Sequence, residues 1–169
     1  MYLPRKANIH INHSIKNLTI ASNDLFTYSE VGLFRYFSGI VQGLNLENVN
    51  IYVPGMITTK QGLESLSRYS GIGGFAGFME KGTVKSCSIS GTIESRCNNV
   101  GGFVGHSAQN NIIKFQNCTN SANIKTNRDI VAGQALSNNL YNVGGLIGCA
   151  IGSLSLDDCM NEGIIEGNG

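Results

Sequence analysis

Apolar residues in this chain come in runs of two to four, separated by Gly, Asn, Ser and Asp, and no stretch of ten or more positions carries a 3.6-residue period. Short alternating strands account for that pattern better than helices do. The runs also recur. VGLFRY begins at Val31, IGGFAG at Ile72, VGGFVG at Val100 and VGGLIG at Val143. Between 12 and 15 residues after each start stands a second phrase, apolar at its first and fourth positions. The copies are LENV (Leu46 to Val49), VKSC (Val84 to Cys87), FQNC (Phe115 to Cys118) and LDDC (Leu156 to Cys159). An earlier copy, IKNL (Ile15 to Leu18), has no Gly-rich partner before it. In the later copies a small residue and another apolar group follow, in SGTIE from Ser90, SANIK from Ser121 and EGIIE from Glu162.

Strands this short cannot form a sheet within one unit. Each must pair with the equivalent strand of the next unit, about 4.8 Å away, so the expected fold is an all-β, parallel β-helix (β-solenoid) of about five coils. Residues 1–30 read as an N-terminal coil or cap, and residues 31–169 as one continuous repeat solenoid. Solenoids need capped ends, and these repeats run almost to Gly169 without a polar cap, so the chain reads as an excerpt of a longer exported one.

Composition narrows the function more than it specifies it. Charged residues make up 14% of the chain and the net charge is +1, unlike the basic footprint of a nucleic-acid binder. No apolar run reaches the length of a membrane span, and the basic start MYLPRKANIHINHS is not followed by the apolar core of a signal peptide. Asn occurs 20 times, mostly between apolar runs, where it suits left-handed corners and hydrogen-bonded side-chain ladders. Three of these begin glycosylation sequons, at Asn12, Asn17 and Asn117, a number expected by chance in so Asn-rich a chain.

Comparison between the copies removes most candidate chemistry. GIGGFAG (Gly71 to Gly77) resembles a phosphate loop, yet no long helix follows and no Lys-Ser or Lys-Thr pair closes it. Gly101, Gly102, Gly144 and Gly145 are instead expected where the chain bends closely past its neighbour. Cys87, Cys118 and Cys159 share one phrase position with Val49 and Leu18, which marks an inward apolar slot holding reduced thiols. There is no C-x-x-C pair for zinc, and Cys97 and Cys149 fall outside the slot with no assigned role. His10, His13 and His106 read as surface residues. Asp157 and Asp158 correspond to Glu47-Asn48, Lys85-Ser86 and Gln116-Asn117, so that pair reads as solvated surface rather than as an acid/base centre. The sequence therefore predicts no catalytic residue, no metal and no cofactor.

With the phrases aligned, the chain resembles the GLUG-type repeat family, named for its Gly-Leu-any-Gly core. VGLFRYFSGIVQGLNLENVNI (Val31 to Ile51) is similar to the family's opening unit. VGGFVG with FQNC and VGGLIG with LDDC resemble its inner units, and the likeness covers roughly residues 30 to 167. Tyr36 departs from the pattern, standing where the other copies have Gly77, Gly105 and Gly148. The resemblance implies a right-handed β-helix-like region of large secreted or cell-surface proteins, mostly bacterial, including adhesins and the non-catalytic parts of immunoglobulin A peptidases. It carries no catalytic residues to transfer.

The leading expectation is a non-catalytic stalk or interaction module of an exported or cell-surface protein, engaging a host or neighbouring-cell protein or glycan. The alternative is a β-helical module that binds or degrades polysaccharide. Binding is expected where the spacing stretches, in the inserts Met56 to Ser70 and Asn127 to Asn142. The first carries Lys60, Glu64, Arg68 and Tyr69, and the second Arg128, Asp129 and Tyr141.

Overall fold

The structure is a computed structural model and describes residues 7–21, 30–54, 70–126 and 142–167. Within these the protein is all-β, and every strand pairing is parallel. The strands are β1 (Ala7–Lys16), β2 (Thr19–Ala21), β3 (Glu30–Val31), β4 (Phe34–Val53), β5 (Gly71–Gly73), β6 (Ala76–Lys85), β7 (Ser88–Ser95) and β8 (Asn99–Gly101). They continue as β9 (Val104–Ser107), β10 (Ile112–Gln116), β11 (Thr119–Thr126), β12 (Asn142–Gly144), β13 (Ile147–Cys149), β14 (Ser153–Asp157), β15 (Met160–Asn161) and β16 (Ile165–Gly167). Twelve form one curled sheet, and β3, β5, β8 and β12 form a second sheet of four.

Equivalent residues stack in rows because parallel strands pair in register and successive side chains alternate sides. One inward row is Ile9, Val41, Val84, Phe115 and Leu156. A second is Ile20, Ile51, Ile93, Ile124 and Ile165. The small sheet contributes Val31, Ile72, Val100 and Val143. Val41, Val84, Phe115, Ile51, Ile93, Ile124, Ile72 and Val100 are buried to about 1% exposure or less, each burial contributing about 1.5–3 kcal/mol. Phe103 and Phe115 meet edge-to-face across the core, their centroids 5.8 Å apart.

The Gly-Gly pairs serve close approach, as their spacing predicts. A Cβ on Gly102 would collide with the carbonyl oxygen of Gly145 and lie 2.6 Å from Oδ1 of Asn120. Left-handed corners fall on the third residue of each second phrase: Asn17, Asn48, Ser86, Asn117 and Asp158, with φ between 49° and 57°. Asn also stacks across strands. Asn48 Nδ2 donates to Asn17 Oδ1 at 2.8 Å, Asn120 Nδ2 to Asn161 Oδ1 at 2.7 Å, and Asn142 Nδ2 to Asn99 Oδ1 at 2.8 Å.

Two sequence alignments need correction. LENV is not the neighbour of VKSC: Val41 and Gln42 pair with Val84 and Lys85, which sets Leu44 beside Cys87. Val49 instead lies opposite Gly91, past a bulge in β4, with Leu18 on its other side. The physical reason is that β4 contains two left-handed residues, Gly43 (φ 71°) and Asn48 (φ 56°). Gly43 lies in line with the Ser86 corner, and Asn48 with the Asn17 corner, so the 20-residue β4 joins two corner phases. The second correction concerns Tyr36, which pairs with Phe78 rather than Gly77. Phe34 takes the strand position opposite Ala76, a slip of one residue after the Gly-Leu bend.

Candidate functional site

The proposed interaction residues Lys60, Glu64, Arg68, Tyr69, Arg128, Asp129 and Tyr141 lie outside the described residues. A different feature is well defined: a groove of about 640 Å³ on the outer face of the large sheet. It crosses β1, β4 and β6 to the turn that opens β10. Its lining residues are Asn8, Ser38, Gly39, Ile40, Lys81, Gly82, Thr83, Asn110, Asn111 and Ile112.

The backbone produces the dip. Phe37 pairs with Met79 but Ser38 pairs with Lys81, so Glu80 is an extra residue and β6 bulges there. Immediately beyond, Gly39 and Gly82 stand opposite each other with φ of 136° and 132°. A Cβ on Gly82 would sit on the Gly39 carbonyl oxygen, so neither a side chain nor an ordinary backbone angle fits the floor. One wall is the turn at Asn110, itself left-handed at φ 62°, followed by Ile112 at 56% exposure.

Register sets the chemistry of the outward face. Asn8, Ile40, Thr83 and Lys114 form one row, the alternates of the inward row Ile9, Val41, Val84 and Phe115. The next outward row holds Gln42, Lys85, Gln116 and Asp157. Lys81, Lys85 and Lys114 thus fall on or beside the groove, and none forms an ion pair among the described residues. No carboxylate lines it; Glu80 in the bulge and Asp157 at the far edge are the nearby acids. The sequence pattern missed the groove. Its one visible signal was the Gly at both positions 39 and 82, which share no phrase.

The cysteine slot is an interior row. Leu44, Cys87 and Cys118 are buried, and Cys159, on the last strand pair, packs more openly against the core. Leu18 and Val49 also pack into the core, but in the separate row set by Asn48. Each thiol hydrogen-bonds back to its own corner: Cys87 Sγ to the Lys85 carbonyl at 3.2 Å, Cys118 Sγ to Gln116 at 3.3 Å and Cys159 Sγ to Asp157 at 3.3 Å. The stacked thiols of Cys87 and Cys118 titrate as a pair: the neighbouring Cys118 draws Cys87 down, and the neighbouring Cys87, with burial, pushes Cys118 up. Cys97, buried with its N–H donating to Ser95 Oγ at 3.0 Å, is pushed up by burial to about 11. Burial also raises Cys149.

A third row, Tyr36, Phe78, His106 and Cys149, runs along the sheet beyond the bulge. Its rings stack edge-to-face, Tyr36 to Phe78 at 5.6 Å and Phe78 to His106 at 4.8 Å. His106 is 4% exposed, which corrects its assignment to the surface; it stands at the same place after its Gly-rich phrase as Phe78 and Cys149, and that shared position was the signal of a packed site. His13 is exposed. At the row's start, Tyr36 donates to Oε2 of buried Glu30 at 2.8 Å, and the Arg35 guanidinium lies 3.4 Å from the same oxygen. Burial, then the Glu30 contact, raises the Tyr36 phenol above its ordinary range.

Among the described residues, no group of three or more His, Cys, Asp and Glu side chains is placed to hold a metal ion. No helix among them is long and apolar enough to cross a membrane. Comparison with protein-family models, with curated proteins and with solved structures returns no match.

Proposed function

We propose that this chain is a non-catalytic, right-handed β-solenoid module of about five coils. It belongs to an exported or cell-surface protein and serves adhesion-like binding of a host or neighbouring-cell protein or glycan. The observation that carries the reading is the groove. Successive strands present amide, hydroxyl, aliphatic and ammonium groups at a fixed spacing over a continuous apolar core. That arrangement suits recognition of an extended ligand, because a stiff parallel sheet pre-pays the ordering of its outward side chains. The resemblance to GLUG-type repeats supports the same architecture and is consistent with an extracellular setting.

Polysaccharide degradation is the alternative, and it needs an acid and a base converging on one bond. The groove's lining offers Lys81 as its one charged group and no carboxylate, so we favour binding over turnover. The experiment is direct. Fluorescently labelled chain is titrated onto intact cells and extracellular matrix, and the binding is competed with excess unlabelled chain. Saturable, competed binding is expected. Uniform, unsaturable background on every surface would overturn the module reading.

A further inference from the structure

We propose that the groove over β1, β4, β6 and β10 binds a carboxylate-bearing glycan strand, such as a run of uronic acids, lying across the strands. The proposal deepens the module reading and rests on it.

The argument begins with what the groove cannot do. It lies on the face of a sheet whose strands are paired on both sides there: β4 with β1 and β6, and β6 with β4 and β10. Backbone N–H and C=O groups are consumed by those ladders. A peptide adding as a further strand needs a free edge, so this face offers it none of the main-chain bonds that give such complexes their affinity. Recognition here must run through side chains.

Those side chains match sugar chemistry. Asn8 and Asn111 each offer an amide donor and acceptor, and Thr83 offers a hydroxyl that does both, the complement of a ring carrying several hydroxyls. Ile40, at 38% exposure, gives an apolar patch for the ring's C–H face. The charge then selects among glycans. Lys81 lines the groove on β6, two residues before Thr83, and Lys114 pairs beside Thr83 at the β10 end of the row, both exposed and without an ion pair among the described residues. A Lys ammonium is a mobile point charge suited to single carboxylates spaced along a polymer. Glu80 beside Lys81 and Asp157 at the far edge leave the local balance positive once Lys85 is counted. With no aromatic ring in the lining, affinity must come from polar and ionic contacts and must fall with salt.

The test is calorimetric titration of the whole chain with an oligogalacturonate, a neutral glucan of equal length, dextran sulfate and polyglutamate. Oligogalacturonate binding that weakens with added salt is expected, with the neutral glucan at least about tenfold weaker. Lys81→Glu combined with Lys114→Glu should lower oligogalacturonate affinity at least about tenfold. Lys81→Gln with Lys114→Gln should do so less, and Lys125→Glu, on β11 away from the groove, not at all. Unchanged thermal melts verify that the variants fold. Equal binding of the neutral glucan, or indifference to both lysine pairs, overturns the proposal. Polyglutamate or dextran sulfate binding as tightly, with the same dependence on the lysines, also overturns it and leaves a general polyanion patch. If no glycan binds while the chain still binds cells saturably, the glycan assignment fails and the module reading stands. Loss of cell binding as well sinks both.

Discussion

Lys114 and Phe115 are adjacent on β10, yet they belong to different worlds: Phe115 is 0% exposed and Lys114 is exposed. The same contrast runs along each neighbouring strand. Inward from β1 to β14 the row reads Ile9, Val41, Val84, Phe115 and Leu156, all apolar. Outward it reads Asn8, Ile40, Thr83, Lys114 and Ser155: amide, alkyl, hydroxyl, ammonium, hydroxyl. Transfer from water restricts the inner row to a narrow class of side chains, and stacking then makes each residue depend on its neighbours above and below. The outer row pays almost nothing for variation. Architecture is therefore written inward, and the variable surface chemistry is written outward.

The sharpest way to break the contrast is to put an outward residue in an inward slot. Cys118→Asp buries a carboxylate between Cys87 and Cys159 with no cation to pair with it, and should cost more than about 4 kcal/mol. Cys118→Val should cost about 1 kcal/mol, since the slot already accepts Leu44 in the same row. Thermal and urea denaturation followed by circular dichroism measure both. Equal tolerance of the two changes would show that the slot is not interior.

Position within a row gives the next step down. Ile124 is flanked by Ile93 and Ile165 and is 0% exposed, whereas Ile165 has only Ile124 as a row neighbour among the described residues and is 43% exposed. Ile124→Ala should cost about 2–5 kcal/mol, and Ile165→Ala less than half as much. If the two cost the same in urea melts, burial is not what holds the row.

How much of this was legible follows the same division. The phrases VKSC, FQNC and LDDC gave the inner cysteine row directly, because one apolar slot repeats at one phase. LENV misled because similarity there marks a left-handed corner and not a neighbour: Asn48 turns the chain as Asn17 does, while Gly43 matches Ser86 without looking like it. His106 was misplaced although part of its cover was legible: Phe78 and Cys149 stand at the same place after their Gly-rich phrases, and only Tyr36 joins the row through the one-residue slip after the first Gly-Leu bend. The groove depends on lateral register and on two glycines from unlike phrases, so no single unit contains it. Apart from Ser70 and Asn142, the inserts singled out for binding fall outside the described residues, and the groove is a separate feature.

The groove floor can be tested as backbone. Gly82→Ala forces a side chain into φ 132° against the Gly39 carbonyl and should cost about 1–3 kcal/mol. Asn117→Ala, at φ 50° on an exposed corner, should cost about 1–2 kcal/mol, and Asn117→Gly much less. Denaturation midpoints check both. A Gly82→Ala protein as stable as wild type would mean that the bulge at Glu80 can relax and that the groove is not fixed.

The smallest expected effect is the most discriminating for the comparison. Lys114→Ala and Thr83→Ala should each change stability by no more than about 0.5 kcal/mol, because both side chains point outward and Lys114 forms no ion pair among the described residues. Phe115→Ala, one residue along the same strand, should cost about 3–5 kcal/mol. The pair of substitutions samples one strand, one register and one set of ladder hydrogen bonds, so differences in backbone propensity largely cancel. What remains is the direction of the side chain. A loss above about 1 kcal/mol for Lys114→Ala would mean that its aliphatic stem packs across Thr83 and that the outward row carries structural load. In that case the lysines flanking the groove would be part of the scaffold, and variation among them would be constrained by stability before any ligand could act on it.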